Sequence, residues 1–131
     1  MPFLDLTIQH SVPTQAAIEA VQQGLTGLMA DILRKRADLT VVSVGLQPGA
    51  SIAIGGRRLG PQAWSGRLIA YVTEGTNTEE EKARFLQAAH ALLSRHLSAP
   101  ASPFYIVVQE VPAASWGYDG RSQADRAAAM A

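Results

Sequence analysis

Apolar and polar positions change rhythm repeatedly along the chain, and the changes delimit its predicted elements. Phe3 to Ile8 sets Phe3, Leu4, Leu6 and Ile8 against Asp5 and Thr7, close to the period of two expected of a strand. Ser11-Val12-Pro13-Thr14 follows, with a hydroxyl able to cap a helix and a proline that a first turn tolerates. Ile18, Val21, Leu25, Leu28, Met29 and Ile32 then recur every three or four residues. That spacing predicts an amphipathic helix ending near Lys35-Arg36, where positive charge suits the dipole. Gly24 and Gly27 inside it leave room for close packing against a sheet. Thr40 to Leu46 is β-branched and nearly all apolar, the pattern of a strand buried on both faces. Pro48-Gly49 predicts a turn, Ser51 to Ile54 a short extended piece, and Gly55-Gly56 its end. Arg57 to Ser65, with Gly60, Pro61 and Trp64, reads as a loop between two halves of similar size.

The second half repeats the plan. Leu68 to Val72 predicts a strand and Glu74-Gly75-Thr76-Asn77 a turn, and Thr78-Glu79-Glu80-Glu81 is a capping box. Leu86, Ala89, Leu93 and Leu97 give the apolar stripe of a second helix, which Ser98-Ala99-Pro100 ends. Phe104 to Glu110 predicts a fourth strand, and Trp116-Gly117-Tyr118-Asp119-Gly120 a compact turn. A shift of 64 residues (116 − 52) lays Trp116 on Ile52, Val72 on Ile8 and Tyr105 on Val41, which points to an internal duplication. The expected fold is α/β (α+β): two tandem βαβ units in one domain, 1–120, with repeats at 2–56 and 66–120. Their right-handed crossovers give a four-stranded mixed sheet with both helices on one face. The other face would be bare although its strands are apolar, so an oligomer with inward-facing sheets is expected. The Ala-rich segment 121–131 is left as a C-terminal tail, whether a short helix, an arm or disordered.

Composition narrows the chemistry. The chain has 131 residues with equal numbers of acidic and basic side chains and no long run of either sign, which argues against nucleic acid as the partner. Cysteine is absent, which excludes disulfides, thiolate nucleophiles and zinc–thiolate sites. His10, His90 and His96 form no metal-ligand pattern, so no metal and no cofactor are expected. No stretch is long and apolar enough to span a membrane and no signal peptide is evident; the expectation is a cytoplasmic protein. One position stands out. Pro2 directly follows Met1, and removal of Met1 would leave a secondary amine at the head of a strand. Such an amine has a pKa near ~8, lowered by burial, and can serve as a base. Alone, Met1-Pro2 also reads as an ordinary start.

Taken with the duplication, three features resemble the tautomerase superfamily over essentially the whole chain to Asp119. They are Pro2 followed by a strand, the ending Gln47-Pro48-Gly49-Ala50-Ser51-Ile52-Ala53-Ile54-Gly55-Gly56, and Val108-Gln109-Glu110-Val111-Pro112-Ala113-Ala114-Ser115-Trp116-Gly117. The first ending is similar to that of the macrophage migration inhibitory factor and cis-3-chloroacrylic acid dehalogenase groups, the second to 4-oxalocrotonate tautomerase. The resemblance implies a homotrimer of paired βαβ units with an amino-terminal proline as catalyst and active sites between subunits. It makes Pro2 the catalytic base and Tyr105 the donor to a developing enolate. Trp116 becomes a pocket wall; for Tyr105 and Trp116 interface packing is the competing role. Arg36, Arg57 and Arg67 are the candidate substrate-binding cations, with solvated or intersubunit salt-bridge roles as alternatives, and Arg58 is a further cation nearby. Tyr118 falls near the acidic residue of the cis-dehalogenase group, with Asp119 beside it.

The departures matter equally. The family's carboxylate-binding arginines fall here at Ser11 or Val12, Val41, Thr73 and Thr76, and a first-helix histidine has no counterpart near Gly27 or Leu28. The expected activity is keto–enol proton transfer on a small enol or 2-oxo acid. The alternatives are water addition to an unsaturated or halogenated acid, with Asp119 or Glu110 activating water, and a weakly catalytic trimeric binding protein.

Overall fold

The computed structural model describes residues 2–9, 11–47 and 51–130. The expectations that fall on Met1, His10 and the Pro48-Gly49 turn lie outside the described residues. Strand β1 (Phe3–Gln9) leads into helix α1 (Gln15–Asp31), strand β2 (Val41–Gln47) and a small hairpin, β3 (Ala53–Ile54) with β4 (Arg57–Arg58). The second half runs β5 (Ser65–Thr73), α2 (Glu79–Leu97), β6 (Tyr105–Val111), a second hairpin of β7 (Gly117–Tyr118) with β8 (Arg121–Ser122), and helix α3 (Gln123–Met130). The main sheet has the order β2-β1-β5-β6. Each outer pair is parallel, as a βαβ crossover demands, and the central pair β1–β5 is antiparallel. A mixed four-stranded sheet built from two βαβ units is what the hydrophobic rhythm predicted.

The 64-residue shift holds in three dimensions. It lays β2 on β6 end for end, Thr14 on Thr78, and the β3–β4 hairpin on β7–β8. Both threonines cap their helices: Thr14 accepts from the Ala17 N–H at 3.1 Å, and Thr78 from the Glu81 N–H at 3.0 Å. At the two hairpin turns, Gly55-Gly56 and Asp119-Gly120 all have positive φ, the backbone that two-residue hairpin loops require.

Leu4, Leu6 and Ile8 of β1 and Leu68, Ala70 and Val72 of β5 alternate onto one face. There they meet Val21, Leu25 and Met29 of α1 and Phe85, Ala89 and Leu93 of α2 in a single buried cluster. Full burial of a side chain of this size contributes roughly 1.5–3 kcal/mol, so this face drives folding. The opposite face is only partly covered within the chain: Val41, Tyr105, Val107 and Phe3 are exposed, while Thr7 and Gln9 at the far end of β1 are buried. The sequence pattern predicts burial of Thr40 to Leu46 on both faces; in one chain only one face is covered, because both helices pack on the same side.

Several boundaries differ from the sequence pattern for identifiable reasons. Helix α1 stops at Asp31 rather than near Arg36, because Arg34 turns the chain with φ 60° and the Lys35 N–H closes onto the Met29 carbonyl at 3.0 Å. The charges freed by that stop reach the other half instead of the helix end. Arg34 grips Glu81 through Nε at 2.7 Å and Nη2 at 3.2 Å, and Lys35 donates to Thr76 Oγ1 at 2.8 Å. Gly24 packs not on the sheet but on α2, where an added Cβ would meet the Leu92 side chain, while Gly27 faces open space. The stretch expected as a loop from Arg57 to Ser65 contains β4 and the start of β5. It also supplies a core residue: Trp64 is buried, donates from Nε1 to the Ser98 carbonyl at 3.0 Å and meets Phe104 edge-on. Segment 121–131 contributes β8 and α3 and is tied to the preceding hairpin by the Tyr118–Arg121 pair.

Two expected outcomes follow from the seams between the halves. Gly66 lies opposite Ile8 with φ 148°, and a Cβ there would fall 1.8 Å from the Thr7 carbonyl oxygen. Gly66→Ala should destabilise the chain by roughly 3 kcal/mol, measured as a lowered midpoint in urea. The Glu81 carboxyl is held down to about 2, chiefly by the Arg34 hydrogen bonds and then by the Thr78 N–H. A depressed carboxyl stabilises above its unfolded value and loses that contribution as pH falls toward its folded value. Thermal stability should therefore drop as pH falls from about 5 to 2, and Glu81→Gln, less stable at neutral pH, should flatten that drop.

Candidate active site

Register places the site. Phe3 pairs with Val41 on one side and Tyr71 on the other, so Pro2 emerges where β1 and β2 begin and β5 approaches its end. The Val41 N–H donates to the Pro2 carbonyl at 3.3 Å, which extends the β1–β2 ladder by one step and fixes the proline ring. Pro2 is buried and lines a cavity of about 540 Å³. Its floor and sides are Phe3, Leu39, Thr40, Val41 and Tyr71, and the β7 hairpin closes it with Trp116, Gly117, Tyr118 and Asp119; Asp38 stands at the rim of the β2 side.

The hairpin sits here because β6 carries the chain to this end of the sheet and Trp116 anchors it. Trp116 Nε1 donates to Thr73 Oγ1 at 3.1 Å, at the end of β5. Gly117 permits the hairpin's tight closure, since a Cβ there would fall 1.8 Å from the Arg121 carbonyl oxygen. Three residues singled out from the sequence, Pro2, Trp116 and Tyr118, therefore share one cavity. Tyr71 joins them without having been singled out. The signal for it was the alternation of β5: Arg67, Ile69, Tyr71 and Thr73 lie on the uncovered face, and Tyr71 is the one level with Phe3, its ring 6.2 Å away.

The remaining candidates lie elsewhere in the chain. Tyr105 begins β6 opposite Arg67, whereas the level of Phe3 and Tyr71 falls on Gln109. Four residues of strand separate those levels, roughly 13 Å along the sheet, so Tyr105 does not meet Pro2 of its own chain. It is 67% exposed on the edge strand. Arg67 shares that distant end, and Arg57 is exposed on the β3–β4 hairpin. Arg36 lies beside the cavity rather than in it, and its guanidinium grips Asp38 through Nη2 at 2.6 Å and Nε at 3.1 Å. That grip holds the Asp38 carboxyl below its usual value and raises Arg36.

Of the carboxylates read from the sequence as able to activate water, Glu110 is taken by Lys82 at 2.8 Å, which holds it below its usual value. Asp119 lines the cavity and has no side-chain partner among the described residues. The cavity thus combines a buried proline, aromatic walls, two tyrosine hydroxyls and one unengaged carboxylate. Among the described residues its lining carries no lysine, arginine or histidine side chain.

Comparison with known proteins places this geometry. Residues 69–126 match the family model Tautomerase, described as tautomerase enzyme. Sequence comparison with curated proteins gives no match. Among solved structures, a fused 4-OT, titled as a wild-type asymmetric trimer, superposes with a TM-score of 0.82 at 19% identity, covering 95% of this chain and 98% of that one. Pt0534 inactivated by 2-oxo-3-pentynoate gives 0.79 at 15% identity, covering 95% and 97%. A macrophage migration inhibitory factor-like protein from Entamoeba histolytica gives 0.76 at 14% identity, covering 92% and 97%. The chain thus shares the fold of these solved structures over nearly its whole length, and residues 69–126 match the Tautomerase family model.

Proposed function

We propose that the chain is a proton-transfer enzyme in which Pro2, exposed as the amino terminus by loss of Met1, is the general base for keto–enol tautomerisation of a small enol or 2-oxo acid. The observation that carries this reading is the burial of Pro2 in a cavity walled by Trp116, Tyr71 and Tyr118. An amine in such surroundings loses solvation of its charged form, which favours the neutral base. The base takes a proton from the carbon beside a carbonyl and returns it elsewhere, and a nearby hydroxyl donates to the enolate oxygen as it forms. In the same chain the tyrosine hydroxyls at hand are Tyr71 and Tyr118; Tyr105 can serve only in a neighbouring subunit's cavity.

Assembly as a homotrimer belongs to the same proposal. The exposed Phe3, Val41, Tyr105 and Val107 leave an apolar sheet face in want of cover, and the superposed fused 4-OT is titled a trimer. A second reading is favoured by one observation: Asp119, unengaged and on the cavity wall, can activate water for addition to an unsaturated acid, with protonated Pro2 as the acid. The two readings separate on whether Asp119→Asn spares enol ketonisation.

The purified protein should begin at Pro2 by mass spectrometry and ketonise phenylenolpyruvate or 2-hydroxymuconate above the solution rate. Pro2→Ala keeps a primary amine and removes the secondary one. It should lower the rate at least ~100-fold, the scale of a lost general base. Retained Met1, or an alanine variant as active as the parent, would sink the reading. Tyr71→Phe should lower kcat by about 100-fold while KM changes little, as loss of one donor to an enolate does. Sedimentation should give a trimer; a monomer would contradict the covering of the open sheet face.

A further inference from the structure

A second cavity, of about 450 Å³, shares Leu39 and Tyr118 with the proline cavity. Its wall carries Arg36, Arg121, Arg126 and Gln123 and, among the described residues, no Asp or Glu. The neighbouring proline cavity has the opposite character, with Asp38 and Asp119 in its lining and no basic side chain. Charge is therefore sorted across the shared wall. A substrate carboxylate set apart from the reacting carbon would be drawn across Tyr118 toward the arginines.

The three guanidiniums are not equally free. Arg36 is committed to Asp38. Arg126 stacks over the Tyr118 ring, 3.7 Å from its centroid, and donates from Nη2 to the Tyr118 carbonyl at 3.0 Å. This fixes the plane of a fork suited to paired hydrogen bonds with a carboxylate. Its Nε and the Gln123 Nε2 are buried with no hydrogen-bond partner among the described residues, so donors outnumber acceptors in this wall. Arg121, exposed on β8, takes part in no ion pair among the described residues.

We propose that Arg126 and Arg121 form an anion subsite for a substrate carboxylate set apart from the reacting carbon, with Tyr118 as the wall between the reacting and the anionic ends. The subsite rests on the proline reading for what happens next door. It names the substrate class: small acids whose carboxylate lies beyond the enol or carbonyl end, gripped from the C-terminal hairpin and helix.

Binding tests this independently of turnover. The probes are 5-oxohexanoate, with a carbonyl near one end and a carboxylate at the other, and its uncharged methyl ester, each titrated calorimetrically into the full chain at low salt. The acid should bind at least tenfold more tightly than the ester. Arg121→Gln and Arg126→Gln should each shrink that preference severalfold, Arg126→Lys should retain part of it, and Pro2→Ala should leave it intact. Arg121 is exposed, so its variant is expected to fold, and far-ultraviolet circular dichroism checks both. Equal affinity for acid and ester, a preference untouched by both glutamine variants, or no binding of either probe would overturn the subsite. A preference that persists while Pro2→Ala proves fully active would leave the subsite standing and remove the proline base instead.

Discussion

The antiparallel pairing of β1 with β5 joins the two halves of the chain, and the cavity around Pro2 exists because of it. The register runs Phe3 to Tyr71 through Gln9 to Ser65, and it brings the apolar stripes of both strands onto one face over both helices. A slip of one residue would turn Leu4, Leu6 and Ile8 away from the core, so burial enforces the register. The close approach of Gly66 to the Thr7 carbonyl adds a steric pin at the far end of the same seam. With the seam fixed, the start of β1 lies beside the end of β5, and Pro2 meets the wall that Tyr71 and Trp116 provide.

Duplication explains the frame, and divergence within it explains the chemistry. The two hairpins are equivalent by the 64-residue shift and share a positive-φ turn, yet they do different things. The second continues into α3, brings Trp116 to Thr73, and lines both the proline cavity and the arginine cavity through Tyr118. The first presents Arg57 and Arg58 to solvent. One supersecondary unit, used twice, lines a cavity at the end of the sheet where β1 begins.

Charge is distributed by the same economy. Arg34 and Lys35 hold the turn after α1 to the start of α2 through Glu81 and Thr76, and Lys82 holds the first turn of α2 to β6 through Glu110. Arg36 neutralises Asp38 at the mouth of the proline cavity. Two guanidiniums in no ion pair among the described residues, Arg121 and Arg126, lie with Tyr118 on the C-terminal hairpin and helix, away from the arginine positions that the family resemblance implied.

The sequence by itself determined the four main strands, the two long helices and their order, because burial imposes a period of two on strands and of about 3.6 on helices, and both periods are legible in Leu4–Leu6–Ile8 and in Val21–Leu25–Met29. It also placed the helix starts, within Ser11 to Thr14 and at Thr78, since a capping bond spans only three residues, while the family resemblance named Pro2, Trp116 and Tyr118 as site residues together with Tyr105, Arg36, Arg57 and Arg67. Tertiary structure decided the rest. Tyr71 could be read only as one more strand residue until the β1–β5 register set it beside Phe3, and Tyr105 could not be known to lie at the opposite end of the sheet until β6 paired with β5. Arg126, in an Ala-rich tail without a motif, was brought beside the cavity only when α3 folded back to stack it on Tyr118. Local pattern reports which face of an element is buried; which elements then meet is set by pairing across many residues of chain, and that is where the site is made.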